Sequence, residues 1–267
     1  MKNINEEIKK VKIVVPSDRN KLVAQALEKI NNSDEIKTLW EVINTNAMER
    51  LKMTDHGHVH FQIVSNIGLK MARLLNKQGI KLSVEKDYGL SYEHGELVVL
   101  LGCLLHDLGM SISRKGHEEF SIVKANTIVP EILDFLPLVE RTIITSEVLH
   151  TIISHRSGGK PLTVEAGIVR VADALDMSEG RSRLPYEEGY IDIHTLSAQA
   201  IDAIEIENGT EEKPINIQII MNNSVGLFQI EELMQQKLEG SGIEKYINIK
   251  SYLGSDQEKN LIKDLVF

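Results

Sequence analysis

Cysteine is nearly missing: among 267 residues only Cys103 occurs. That excludes a disulfide framework and a cysteine zinc cluster. Cys103 lies inside the apolar run Leu97–Leu105, where a buried thiol acts as a small hydrophobe. The run falls far short of the roughly 20 apolar residues that a membrane span needs, so no membrane partner is expected. The amino-terminal MKNINEEIKK lacks the apolar core of a secretory signal. Positive charge is also in short supply. Lys and Arg number 30 against 39 Asp and Glu, a formal net charge of −9. An acidic surface repels phosphate backbones, so bulk nucleic acid is not an expected partner. A small anion can still bind where a metal ion reverses the local potential. Repeats and low-complexity segments are absent. What remains is 42% hydrophobic and 26% charged, the composition of a soluble cytoplasmic protein with one large domain, or a large and a small one.

Helical periodicity dominates the first two thirds. Helices are expected over Asn20–Ile30 and from about Ser33 into Leu51, where Ile36, Leu39, Trp40, Ile43 and Ala47 recur at helical spacing. Thr54-Asp55 offers an N-cap, and His60, Val64, Ile67, Met71 and Leu74 then form one stripe. Residues 76–95 are polar with three glycines and read as a loop. Leu97–Leu105, apolar all round, reads as a buried helix ending at Gly109. His117–Asn126, Pro130–Leu136, Leu138–Ser154 and Thr163–Met177 continue as helices separated by Pro and Gly signals. After about Pro185 the pattern changes. Ile204–Glu207 and Ile215–Met221 read as strands with Asn208-Gly209 in the turn between them. Phe228–Leu238 reads as an amphipathic helix, Ile243–Leu253 holds a last strand, and Gln257–Leu265 a short helix. The expected fold is mainly α. A helical domain spans 1–188 (N-terminal helices 1–52, core 54–185), and a small α+β module spans 189–267.

The dipeptide His106-Asp107 means little alone. Successive residues on a helix point about 100° apart, so both can reach one ion only at a helix end or kink. Leu108-Gly109 supplies that end, and the apolar helix before it is a rigid floor for ligands. Histidine and carboxylate together suit divalent ions such as Mn, Fe, Zn, Ni, Co or Mg.

LLHDLGM, preceded by HGHVHFQIVSNIGLKMARLL and followed by HRSGGKPLTVEAGIVRVADALD, resembles the HD superfamily of metal-dependent phosphohydrolases over about 54–185. The resemblance implies a helical HD-domain bundle whose first metal site is His60, His106, Asp107 and Asp173. His60 is preferred to His56 and His58 because the family has a valine four residues on, and because it shares a stripe with Val64 and Ile67 that faces the core. Two-metal members add histidines, for which His117 and His155 are candidates; the alternative for each is a polar histidine at a helix end. Asp107 would bridge two ions. The stretch from His155 to VAD resembles the diadenosine-tetraphosphate-hydrolase branch. SEGRSRLP after it makes Arg181 or Arg183 a candidate phosphate clamp, Arg being able to grip phosphate oxygens bidentately. That branch's substrate is not carried over. The Gly-Tyr-Pro signature of cyclic-diguanylate phosphodiesterases is absent.

His150 sits five residues before His155, about 140° away around a helix, and is expected to be packed or hydrogen-bonded. Asp176, one turn past Asp173, can orient a ligand. His94 and His194 read as surface residues, and the Glu runs at 93–96, 118–119 and 187–188 as solvated faces. Ser157-Gly158-Gly159-Lys160 looks like a phosphate nest but lacks the rest of a P-loop; Lys160 is expected at the site mouth. The expected activity is hydrolysis of a phosphomonoester or phosphodiester in a small, nucleotide-like molecule by metal-activated water, with Asp107, Lys160 and Arg181 as catalytic candidates. A non-catalytic nucleotide-sensing module is the rival expectation, and the strands of the C-terminal part could pair across a homodimer.

Overall fold

A helix without a polar face organises the molecule. In the computed structural model, which describes residues 3–156, 158–177, 197, 199–231, 236–253 and 265–266, this helix is α6, Tyr92–Leu105, buried at every position from Gly95 onward. Eight further helices precede or follow it: α1 (Ile4–Lys10), α2 (Lys21–Asn32), α3 (Asp34–Asn44), α4 (His58–Lys77), α5 (Ser83–Tyr88), α7 (His117–Ile132), α8 (Leu138–Ser154) and α9 (Val164–Ala174). Helices α2, α4, α8 and α9 surround α6. With no solvent side, α6 must be covered on all flanks, and each buried Leu or Val adds about 1.5–3 kcal/mol. The Trp40 indole of α3 reaches into this core and donates to the Leu104 carbonyl (3.1 Å). Asn20 caps α2 by accepting from Leu22 and Val23 N–H. It also donates to the Glu96 carboxylate (2.8 Å).

That last contact corrects the reading of 93–96 as a solvated face. Glu96 is buried because Arg73 and Asn20 neutralise and satisfy it. His94 is likewise half-buried rather than a surface residue, its ring facing Glu140 (3.2 Å). The 76–95 loop is corrected too: it contains α5 and the first turn of α6. Leu82 and Val84 are buried there, and Glu165 of α9 accepts from the Ser83 and Val84 N–H groups, capping α5 from a distance. Pro130 does not divide two helices but sits in the last turn of α7, which continues to Ile132. The N-cap of α4 is Gly57 rather than Thr54-Asp55; Asp55 accepts from the Gly57 N–H (2.9 Å).

The C-terminal part is a sheet in the order β1-β2-β3-β4 (Ile201–Asn208, Ile215–Met221, Ile247–Leu253, Leu265–Val266). β1 pairs antiparallel with β2, and β3 antiparallel with β4. β2 and β3 are parallel, so the chain crosses over between them through 222–246. That crossover holds the helical turns Gly226–Phe228 and Gln236–Leu238; residues 232–235 of the helix expected over Phe228–Leu238 lie outside the described residues. β2 alternates buried and half-buried residues, with Ile215, Ile217, Ile219 and Met221 inward. These close one continuous apolar cluster with Val64, Met71 and Leu75 of α4 and Ile168, Val169 and Val171 of α9. The short helix expected over Gln257–Leu265 lies mostly outside the described residues, and Leu265 pairs with β3. No described helix is long and apolar enough to cross a membrane.

Candidate metal centre

Five helix ends converge on one buried point: the first turn of α4 brings His60, the end of α6 His106 and Asp107, the start of α7 His117, the end of α8 His155 and the last turn of α9 Asp173. All six residues are buried. His106 keeps helical angles (φ −59, ψ −34), whereas Asp107 turns away (φ −102, ψ 12). This break lets neighbouring side chains address a single volume.

Gly109 makes the break possible. Its N–H donates to Ser121 Oγ of α7 (2.7 Å), and a Cβ there would lie 2.0 Å from the His117 carbonyl oxygen. No side chain fits, because the turn carrying Asp107 lies flat against the turn carrying His117. Gly109→Ala is expected to cost about 3 kcal/mol or more through overpacking, read as a fall in the denaturation midpoint. A variant as stable as the parent would show that the two turns are not locked together.

Three imidazoles are oriented by one local device. The Nδ1–H of His106 donates to the Cys103 carbonyl (3.0 Å), that of His117 to Arg114 (2.9 Å) and that of His155 to Ile152 (2.6 Å). In each case the acceptor lies three residues earlier. A carbonyl only accepts, so Nδ1 carries the proton and Nε2 is left as a lone pair. His60 does the same through Asp176, its Nδ1–H donating to Oδ2 (2.5 Å). All four Nε2 atoms point inward.

Their spacing implies a cation. His60 Nε2 and His106 Nε2 are 3.3 Å apart, and each is 3.5 Å from Asp173 Oδ1. On the other side, His117 Nε2 and His155 Nε2 are 3.3 Å apart and lie 3.0 and 3.5 Å from Asp107 Oδ1. Asp107 Oδ2 faces His106 Nε2 at 3.6 Å. Asp107 therefore stands between two clusters. His60, His106 and Asp173 form one group able to hold an ion, and His106, Asp107 and His155 another, each with donor atoms within 4.8 Å of one another. Asp107 Oδ1 is fully buried, with the Nε2 atoms of His117 and His155 as its nearest polar neighbours; with those rings neutral and protonated at Nδ1, a cation between them satisfies the carboxylate and the lone pairs together. The donors fit a divalent ion of the borderline class.

The charges agree. Burial opposes ionisation of Asp107, yet the positive field of His106 and the neighbouring imidazoles hold it well below the usual carboxylate range. Burial opposes Asp173 likewise, and Lys237 followed by His106 hold it down. Burial pulls His106 down, but Asp107 and Asp173 outweigh it and raise the group. Burial keeps His155 below its ordinary value, in the neutral form a ligand needs.

Asp176 sits where the sequence suggested, one turn beyond Asp173 and behind His60. Asp176→Ala is expected to weaken metal affinity about 10–100-fold by freeing the His60 ring, measured by competition with a chelating dye. Unchanged affinity would remove His60 from the ligand set. His150 is turned away and accepts from the Leu162 N–H (2.9 Å). His56 is buried beside His60, with Nδ1 on the Thr54 carbonyl (2.7 Å); neither His56 nor His58 joins a cluster able to hold an ion among the described residues. Lys160 is exposed, and no described polar contact ties it to the cluster. Glu118 is only part-exposed, its carboxylate 3.2 Å from both His117 Nδ1 and Arg156. Arg181, Arg183, His194 and the Glu pair 187–188 lie outside the described residues. Burial pushes the Cys103 thiol up, so it is no nucleophile.

Two residues have no sequence signal. Lys237, on the crossover between β2 and β3, donates to Asp173 Oδ2. Arg170 of α9 is buried and donates to four carbonyls: Lys237 (2.8 Å), Gly159 (2.6 Å), Gln236 (3.0 Å) and Glu239 (3.3 Å). Nothing in MQQKLEG or AGIVRVAD distinguishes these residues from a solvated lysine and a helix-surface arginine.

Comparison with known proteins places this geometry. Residues 58–178 match the model of the HD domain. The chain is also similar to the uncharacterized protein MJ1020 of Methanocaldococcus jannaschii, at 39% identity over 239 residues covering 89% of this chain and 91% of that protein. No solved structure matches.

Proposed function

Because the chain belongs to the HD-domain family, whose members are in general metal-dependent phosphohydrolases, we propose that it hydrolyses a phosphomonoester or phosphodiester of a small, nucleotide-like molecule. The observation that carries this reading is the buried Asp107 carboxylate, set between the Nε2 atoms of His106 on one side and of His117 and His155 on the other. A divalent ion, when bound, supplies acidified water and neutralises phosphoryl charge. His60, His106 and Asp173 would hold one ion, and His106, Asp107 and His155, with His117 beside them, a second. The protein's own part is orientation. Backbone carbonyls and Asp176 fix the four rings before any ligand arrives, so no ordering cost falls on the reaction. Burial of the donors keeps bulk water away from them.

The test is metal analysis of purified protein together with turnover of p-nitrophenyl phosphate and bis-p-nitrophenyl phosphate with added Mn. Bound metal and hydrolysis of at least one ester are expected. Bound metal and tight nucleotide binding without turnover of any ester would favour a sensing module instead.

A further inference from the structure

We propose that Lys237, delivered by the C-terminal part of the chain, is a substrate-contacting residue that binds the phosphoryl oxygens at the metal centre. The inference rests on the phosphohydrolase reading above and adds to it the residue that meets the anion.

Asp173 uses its two oxygens differently. Oδ1 faces His60 and His106, while Oδ2 receives Lys237 Nζ. The ammonium therefore stands beside the donor cluster, on the Asp173 oxygen that the imidazoles do not face. Exposure marks the entrance. The side chains of His60 and His106 are 0% exposed, those of Asp107, His117 and His155 6, 2 and 3%. Asp173 reaches 11% and Lys237 18%. Of these side chains Lys237 is the most exposed to solvent. An ammonium has three N–H donors, and Asp173 is the one described polar partner of Nζ. Two donors remain for a ligand.

The lysine is held deliberately. Arg170 is two-pronged, binding the carbonyls of Gln236, Lys237 and Glu239 on one side and of Gly159 on the other. Gly167, one turn earlier on α9, lets this part of the chain lie close: a Cβ there would be 2.3 Å from the Ser241 carbonyl oxygen. The helix that contributes Asp173 thus also grips the segment that contributes Lys237.

The test measures binding of inorganic phosphate to the full-length, Mn-loaded protein by titration calorimetry, with bound metal determined in parallel. Lys237→Ala is expected to keep its metal and lose phosphate affinity at least tenfold, with a comparable rise in KM for p-nitrophenyl phosphate. Lys237→Met, which retains the apolar stem, guards against a folding defect and is expected to behave as Lys237→Ala does. Phosphate affinity within threefold of the parent in both variants overturns the role of Lys237 while leaving the phosphohydrolase reading intact. Loss of metal in both variants also overturns it, by making the lysine a support of the metal ligands. A parent protein that takes up Mn but binds no phosphate and hydrolyses no ester overturns both readings.

Discussion

Asp107→Ala is expected to abolish the stabilisation that divalent metal confers and to lower ester hydrolysis about a thousandfold or more. The argument starts from the position of the carboxylate. Oδ2 faces His106 and Oδ1 faces His117 and His155, so removing it subtracts a negative ligand from both clusters at once. An ion present at a hundred times its Kd stabilises the folded state by about 2.7 kcal/mol. For a chain of this size that is roughly 5–10 °C of Tm. The parent should show a shift of this order on addition of Mn; the variant should show none. Without metal the alanine variant is expected to be no more stable than the metal-free parent, because the neighbouring imidazoles favour the ionised carboxylate in the fold. A variant that folds but does not respond to metal is the expected signature. A full Tm shift in the variant would place the ion elsewhere.

The side chains that converge at the candidate site were legible in sequence because they arrive through local rules. His106-Asp107 at the end of an apolar helix says that two adjacent side chains share a direction, and the match around Leu104–Met110 identifies the partners. The i−3 carbonyl contacts of His106, His117 and His155 follow from their positions at helix ends. β2 was legible for the same reason, since its alternation of Ile215, Ile217, Ile219 and Met221 is a two-residue period. Helix α5 was hidden. Its cap is Glu165, about eighty residues away along the chain, and its buried face is only Ser83 and Val84. Glu96 read as solvated because its partners Arg73 and Asn20 are separated from it by 23 and 76 positions. Lys237 is the extreme case: it meets Asp173 across 64 positions, through a crossover that exists only because β2 and β3 are parallel. Long-range polar pairing leaves no periodicity to read.

Arg170→Met tests whether the two ends of the chain form one working site. Arg170 is 3% exposed, and burial lowers its affinity for its own proton while Glu244 supports it. Its partners are carbonyls, which makes it a splice between backbone segments rather than an ion pair. Methionine fills the stem's volume but leaves four carbonyls without their donor. At about 1 kcal/mol or more for each acceptor that water cannot reach, a loss of roughly 3 kcal/mol is expected. The damage should be local. No described hydrogen bond joins Arg170 to His60, His106, His117 or His155, so metal content is expected to persist. The stretch around 236–241 should become cleavable by protease in the native buffer, with mass spectrometry locating the cuts. Phosphate affinity should fall as far as in Lys237→Ala, because the lysine is no longer aimed. The two changes should then be non-additive: the double variant Arg170→Met/Lys237→Ala should bind phosphate no more weakly than either single variant. Additive losses would mean that Arg170 serves the fold alone and that Lys237 finds Asp173 without it.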